Sequence, residues 1–129
     1  MKAILTLVSA TLMLFFAACI TENQTCISNE TAYIDSVYVP KTGAINQDIP
    51  ILFYYGVHNG CGKFTGFNVT EEGNTNFCQV KVEYNGCQCT AVYFTEQKTY
   101  NFKVSVPGTY LFKYLLDGNQ YTTDTLVVN

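Results

Sequence analysis

The segment that decides the fold is Asn59–Thr90, which reads NGCGKFTGFNVTEEGNTNFCQVKVEYNGCQCT. It holds four of the six cysteines in the chain, and its two ends, Asn59–Gly62 and Asn85–Thr90, combine cysteine with glycine. Between these ends, apolar and polar residues alternate with the period of a β-strand. The pattern predicts the disulfide-stapled part of a small β-sandwich in an exported protein.

Short strand-like runs separated by turn residues flank and fill this segment. The most regular run is Ile49–Val57, and Phe77–Tyr84 follows it in the cysteine-rich segment. Asn85-Gly86 is the favoured dipeptide of a two-residue hairpin, so it predicts a return strand over Cys87–Thr95. The other predicted strands are Tyr33–Val39, Phe64–Val69, Thr99–Val106, Thr109–Leu116 and Gln120–Val128. Seven or eight antiparallel strands at this spacing predict an all-β, immunoglobulin-like β-sandwich.

Alternate strand positions supply the predicted hydrophobic core. Its members are Ile51, Phe53, Tyr55, Val80, Val82, Phe102, Val104, Tyr110 and Phe112. Tyr110 follows Pro107-Gly108 and is placed like the tyrosine that pins a strand corner in immunoglobulin-like folds. The alternative for Tyr110 is an ordinary buried tyrosine.

The N-terminal residues are typical of a secretory signal peptide. Lys2 precedes the uncharged run Ala3–Ala18, which is shorter than the roughly 20 residues of a membrane span. Phe16-Ala17-Ala18-Cys19 resembles a bacterial lipobox, in which Cys19 is the site of lipid attachment. Phe16 departs from this motif, which usually has leucine there. Ordinary cleavage after Cys19 is the alternative.

The residues after Cys19 predict a tether that leads into one domain. Thr21–Thr31 is rich in asparagine and threonine and has no apolar period, as in a flexible linker. We therefore expect a lipoprotein signal peptide over residues 1–18, a lipidated N terminus and tether over 19–32, and the sandwich over 33–129. A chain of 129 residues has room for one such domain.

The remaining cysteines predict disulfides at one pole of the sandwich. Because strand direction alternates, Cys26, Cys61, Cys87 and Cys89 should gather where the second strand ends. Cys87 and Cys89 face the same way on a strand, so they should bond to Cys26 and Cys61 rather than to each other. We favour Cys61–Cys87 with Cys26–Cys89, and the reverse pairing stays open. Cys78 is too far away to join them and is either a core thiol or open to an intermolecular bond.

Three pieces of the chain resemble a known group of proteins. Phe53–Gly62, Gly86–Thr90 and Pro107–Phe112 are similar to parts of small Bacteroidota lipoproteins. The resemblance implies an export signal, a lipid anchor and an immunoglobulin-like domain, and it brings no established activity. Cys78 lies outside the shared pattern.

A metal site is the sharpest functional alternative. His58, Cys61, Cys87 and Cys89 could surround zinc or copper(I) as four soft ligands. Two observations oppose this: the spacing is not that of a zinc finger, and an exported protein oxidises its thiols. We therefore expect no cofactor and no resident metal.

Composition and single residues argue against other function classes. The chain has no arginine and its lysines are scattered, so we expect no nucleic-acid partner. It has one histidine, and no serine lies in a nucleophile-elbow context, so we expect no catalytic residues and no enzyme. The prediction is a membrane-anchored module of the cell envelope, placed in the outer membrane rather than secreted. Its partner would be an envelope protein or a glycan.

Overall fold

Nine β-strands run through the residues that the computed structural model describes, 25–116 and 120–129. They are β1 (Ile27–Thr31), β2 (Ile34–Tyr38), β3 (Thr42–Gly43), β4 (Ile49–Val57), β5 (Gly62–Glu72), β6 (Thr75–Asn85), β7 (Phe94–Phe102), β8 (Gly108–Leu116) and β9 (Gln120–Val128). The expected signal peptide and lipid attachment site, Cys19, lie outside the described residues. Within those residues, no helix is long and apolar enough to cross a membrane.

The strands form two layers that share one bridge. In the first layer, β4 lies between β2 and β7 and is antiparallel to both. In the second layer, β5 pairs with one edge of β6. The other edge of β6 pairs with β8 in its first half and with β1 in its second half. β9 pairs with the other side of β8, and the short β3 adds to β9. A parallel bridge between Ile34 of β2 and Leu116 of β8 joins the layers.

Aromatic rings from the two layers meet in the core. The ring of Phe53 on β4 lies 5.2 Å from that of Phe67 on β5, and the ring of Phe102 on β7 lies 5.1 Å from that of Phe112 on β8. The predicted core residues are buried, except Val104, which is half-buried. Val104 lies beyond the end of β7, so its side chain reaches only the rim of the core.

The all-β sandwich is confirmed, but its strands are not all antiparallel. β6 runs parallel to β8 and β3 runs parallel to β9, and the described residues form nine strands rather than seven or eight. A period of two identifies a strand and its buried face without identifying its neighbour. Parallel pairing was therefore not visible in the sequence pattern.

The predicted hairpin at Asn85-Gly86 is wrong. β6 ends at Asn85, residues 86–93 are not in a strand, and β7 pairs with β4 instead of β6. The second half of β6 already has β1 on one edge and β5 on the other, so no edge is available for a return strand. The strand predicted over Cys87–Thr95 therefore begins only at Phe94.

The second half of the predicted tether is also wrong, because Ile27–Thr31 is strand β1. All five of its side chains are exposed, so no hydrophobic alternation marks it in the sequence. Its backbone pairs with β6 from Ile27 opposite Asn85 to Thr31 opposite Lys81. The folded domain thus begins before residue 33.

Candidate functional site

Two disulfides fix one pole of the sandwich. Cys26–Cys87 has a Cα–Cα distance of 4.9 Å, and Cys61–Cys89 has one of 5.5 Å. They close loops with sequence separations of 61 and 28 residues. In the chain-entropy model, loops of this size stabilise the fold by about 4 kcal/mol each. The prediction of a disulfide-stapled sandwich is confirmed, and the staples join the four cysteines named from the sequence.

The favoured pairing is wrong, since Cys61 bonds to Cys89 and not to Cys87. β1 and β5 flank the end of β6 on opposite edges, which brings Cys26 and Cys61 to opposite sides of Gly86. The backbone N–H of Gly86 donates to the carbonyl oxygen of Cys26 at 2.9 Å, so the next residue, Cys87, reaches Cys26. The chain then turns, and Cys89 reaches Cys61 on the other side.

The remaining described cysteine, Cys78, is a free thiol in the core. It is 3% exposed and lies on the same face of β6 as Val80 and Val82. Burial raises the pKa of the Cys78 thiol to about 12. The thiol is therefore protonated and unreactive in the folded protein, which agrees with a packing role.

A cleft of about 480 Å³ opens between the two layers beside the disulfides. Its lining residues are Glu30, Thr31, Ala32, Tyr33, Gly56, His58, Tyr84 and Tyr93. Three tyrosines and the only histidine of the chain thus share one depression with one carboxylate. A volume in this range and a mixture of aromatic and polar groups are typical of small-ligand sites.

His58 and Tyr84 form one wall of the cleft. Their rings stack with centroids 4.0 Å apart, and the backbone N–H of His58 donates to the Tyr84 hydroxyl at 3.3 Å. Burial raises the pKa of Tyr84, although the hydrogen bond from the His58 backbone opposes this shift. His58 Nδ1 lies 3.8 Å from Glu30 Oε2, and the carboxylate accepts a hydrogen bond from Ser28 on its other oxygen. The imidazole is held in position by these contacts.

Tyr93 also lines the cleft, although residues 86–93 form no strand. Its hydroxyl donates to Asp35 Oδ1 at 3.0 Å, and Thr95 donates to the other oxygen of the same carboxylate at 2.7 Å. A Cβ on Gly56 would lie 2.0 Å from the Tyr93 hydroxyl oxygen, so glycine is needed for the ring to rest on β4. Asp35 and Gly56 thereby position Tyr93 over the cleft.

The alternative metal site, His58 with Cys61, Cys87 and Cys89, is not formed. Cys61, Cys87 and Cys89 are in disulfides, so none of the three has a thiolate to offer a metal. No group of three or more histidine, cysteine, aspartate or glutamate side chains in the described residues could hold a metal ion. His58 instead contacts Tyr84 and Glu30.

Most residues of the cleft were not identified from the sequence. Glu30 lay in the predicted tether, and Tyr33, Tyr84 and Tyr93 looked like ordinary strand residues. Glu30 and Tyr33 lie more than fifty residues before Tyr84 and Tyr93 in the sequence. The two groups meet because β1 pairs with β6 while β4 pairs with β7. The one signal for the cleft in the local sequence is that tyrosines lie close to the cysteine-rich ends of Asn59–Thr90.

Comparisons with known proteins identify the domain. No curated protein and no solved structure matches the chain. The family model described as the ORF11 beta-sandwich domain matches residues 54–128, which is more than half of the 129 residues. The matched region begins within β4 and ends with β9, so it contains most of both layers and the cysteines Cys61, Cys87 and Cys89. The chain belongs to the ORF11 beta-sandwich domain family.

Proposed function

We propose that this protein is an exported, lipid-anchored binding module of the cell envelope, and that it uses the cleft beside the two disulfides to hold a partner. The observation that carries this proposal is the cleft itself, about 480 Å³ in volume and lined by tyrosines, His58 and Glu30. Both disulfides lie at one pole, and Cys26, Cys61 and Cys87 are three or four residues along the chain from the cleft residues Glu30, His58 and Tyr84. A site that is already ordered loses little conformational entropy when a partner binds.

Export is supported by two independent features. Disulfide bonds form and persist in an oxidising, extracytoplasmic compartment, and the described residues contain two of them. The sequence begins with an apolar run that ends in Ala17-Ala18-Cys19, as in lipoprotein precursors. We propose that lipid on Cys19 anchors the protein in the outer membrane.

A non-enzymatic role is supported by the order of the polar groups at the cleft. In a serine hydrolase, the histidine lies between the serine and the carboxylate, so that it can accept the serine proton. Here the carboxylate of Glu30 lies in the middle: Ser28 donates to Oε1 at 3.0 Å, and His58 Nδ1 approaches Oε2 at 3.8 Å. His58 is therefore not placed to activate Ser28.

The anchor is tested by changing the proposed lipid attachment residue. We expect Cys19→Ala to move the protein from the membrane fraction to a soluble or unprocessed form, because no thiol is left for acylation. Asn23→Ala, four residues away, is the matched control and should remain in the membrane fraction. A membrane-bound, processed Cys19→Ala protein, or wild type without acyl mass on Cys19, would overturn the anchor.

The binding role is tested by cross-linking in the native envelope. We expect Tyr33→Ala and Tyr93→Ala to lose the cross-linked partner, whether protein or glycan, because both rings line the cleft. Tyr38→Ala is the control, since Tyr38 is 60% exposed and outside the cleft. If all three variants keep the same partners as wild type, the cleft is not the binding site.

A further inference from the structure

The cleft has the composition of an aromatic box with one negative charge. Tyr33 and Tyr93 are 55% and 60% exposed, so large parts of both rings are open to a ligand. Tyr84 is buried and stacked by His58, which gives the cleft an ordered aromatic wall. The faces of such rings carry partial negative charge and attract cations.

The carboxylate of Glu30 adds a full negative charge that no lysine neutralises within the described residues. The ion pair between a lysine and a carboxylate found there is Lys103 with Asp48, and the basic side chain beside Glu30 is the imidazole of His58, at 3.8 Å. Lys81, which pairs with Thr31 across the β1–β6 ladder, donates to the Thr31 hydroxyl at 2.6 Å. The side chain of Glu30 is 45% exposed and faces the cleft, so it is open to a positively charged ligand.

The ring of Tyr93 is held in place before any ligand arrives. Asp35 accepts the hydrogen bond of the Tyr93 hydroxyl, and the missing side chain of Gly56 leaves the space in which that hydroxyl lies. A wall that is already positioned avoids the entropy cost of ordering side chains on binding.

We propose that this cleft binds a quaternary ammonium group. A quaternary ammonium has no N–H to donate, so aromatic faces and a nearby carboxylate satisfy it, whereas a primary ammonium also needs several hydrogen-bond acceptors. The lining residues include neither arginine nor lysine, which disfavours phosphate and other anions. The proposal rests on the proposed function, because it takes the same cleft as the binding site and names its ligand class.

The experiment titrates the full-length protein, purified from its host in a non-ionic detergent, with choline chloride at constant ionic strength. Binding is followed by NMR shifts of Tyr33, His58 and Tyr93. The neutral isostere 3,3-dimethylbutan-1-ol serves as the ligand control, because it has the shape of choline without the charge. Glycerophosphocholine tests whether the group comes from a lipid headgroup rather than from a free cation.

We expect saturable shifts with choline and none with the isostere. Tyr33→Ala, Tyr93→Ala and Glu30→Gln should each weaken choline binding about two- to fivefold, as expected for partly exposed cation–π and charge contacts. Tyr38→Ala and Glu72→Gln, which change an exposed tyrosine and an exposed glutamate elsewhere, should leave it unchanged. Tighter binding of glycerophosphocholine than of choline supports the proposal and assigns the headgroup as the source.

Three outcomes would overturn the proposal. Equal binding of choline and its neutral isostere would show an apolar pocket without charge selection. Binding of N-acetylglucosamine in place of choline would make the cleft a glycan site. Absence of choline binding, together with partner capture that still depends on Tyr33 and Tyr93, would reject the ammonium ligand while leaving the binding module intact.

Discussion

The hydroxyl of Tyr110 donates a hydrogen bond to the backbone carbonyl oxygen of Val106 at a distance of 2.8 Å. This contact ties the beginning of β8 to the turn before it, as the sequence predicted for a corner tyrosine. Tyr110 is 7% exposed, and its ring packs edge-on against Phe102 with centroids 5.2 Å apart. The residue therefore combines core packing with a polar tie to the turn.

We predict that Tyr110→Phe lowers the free energy of unfolding by about 0.5–1.5 kcal/mol, because the ring is kept and the hydrogen bond is lost. Urea denaturation measures the effect. Tyr121→Phe is the matched control, since Tyr121 is 70% exposed and should tolerate the same change. Equal stability of the Tyr110 and Tyr121 variants would show that the corner bond adds nothing.

A second prediction concerns the centre of the core. Phe53 is 0% exposed and its ring meets those of Phe67 and Tyr114 from the opposite layer. Phe53→Ala leaves a cavity between the layers, so we expect a loss of about 3–5 kcal/mol in the free energy of unfolding. Tyr38→Ala, on the neighbouring strand β2 but 60% exposed, should cost far less. A loss below about 1 kcal/mol for Phe53→Ala would contradict the packing.

Strands whose side chains alternate between core and surface were predictable from the sequence. The limits of Ile49–Val57 were predicted as observed, because every second residue there is buried. Strand β1 was missed because all five of its side chains are exposed and its stability comes from backbone pairing with β6. Burial of alternate side chains thus produces a hydrophobic pattern in the sequence, whereas backbone pairing between strands does not.

The candidate site was predictable only in part, for the same reason. The four pole cysteines could be grouped because alternating strand direction determines which ends lie together. Their pairing depends on which strands flank β6, and the assumed hairpin at Asn85-Gly86 gave the wrong neighbour. The cleft also needs β1 and the loop that carries Tyr93, and neither shows a periodic pattern.

A third prediction concerns alkaline pH. Burial, together with a hydrogen bond to a carboxylate, raises the pKa of Tyr55 beside Glu96 and of Tyr114 beside Asp124. A raised pKa means that the folded state holds these protons more tightly than the unfolded chain does. Their contribution to stability is therefore complete below about pH 10, the ordinary tyrosine value, and is lost as the pH rises further.

We expect the urea midpoint of the wild type to fall as the pH rises from about 10 to about 11.5, with tyrosinate absorbance rising as the β-structure is lost. The double variant Tyr55→Phe/Tyr114→Phe should show a smaller fall over that range, whatever its stability at neutral pH. An equal fall in both proteins would place the alkaline sensitivity elsewhere.

The last prediction tests the crowding around Gly86. A Cβ at this position would lie 2.7 Å from Cys61 Sγ and 3.3 Å from Cys89 Sγ, and the φ of 154° is one that residues with a side chain rarely adopt. We expect Gly86→Ala to destabilise the fold and to leave Cys61 and Cys89 partly reduced, with Cys26–Cys87 still formed. Non-reducing peptide mapping measures the pairing.

Gly66→Ala separates the two causes, because Gly66 has a φ of 157° and a Cβ added there would meet no atom within 4 Å. The crowding is contradicted if Gly86→Ala forms Cys61–Cys89 fully and loses no more stability than Gly66→Ala. In that case the backbone angle alone would account for glycine at position 86, and the nearby disulfide would not restrict the residue there.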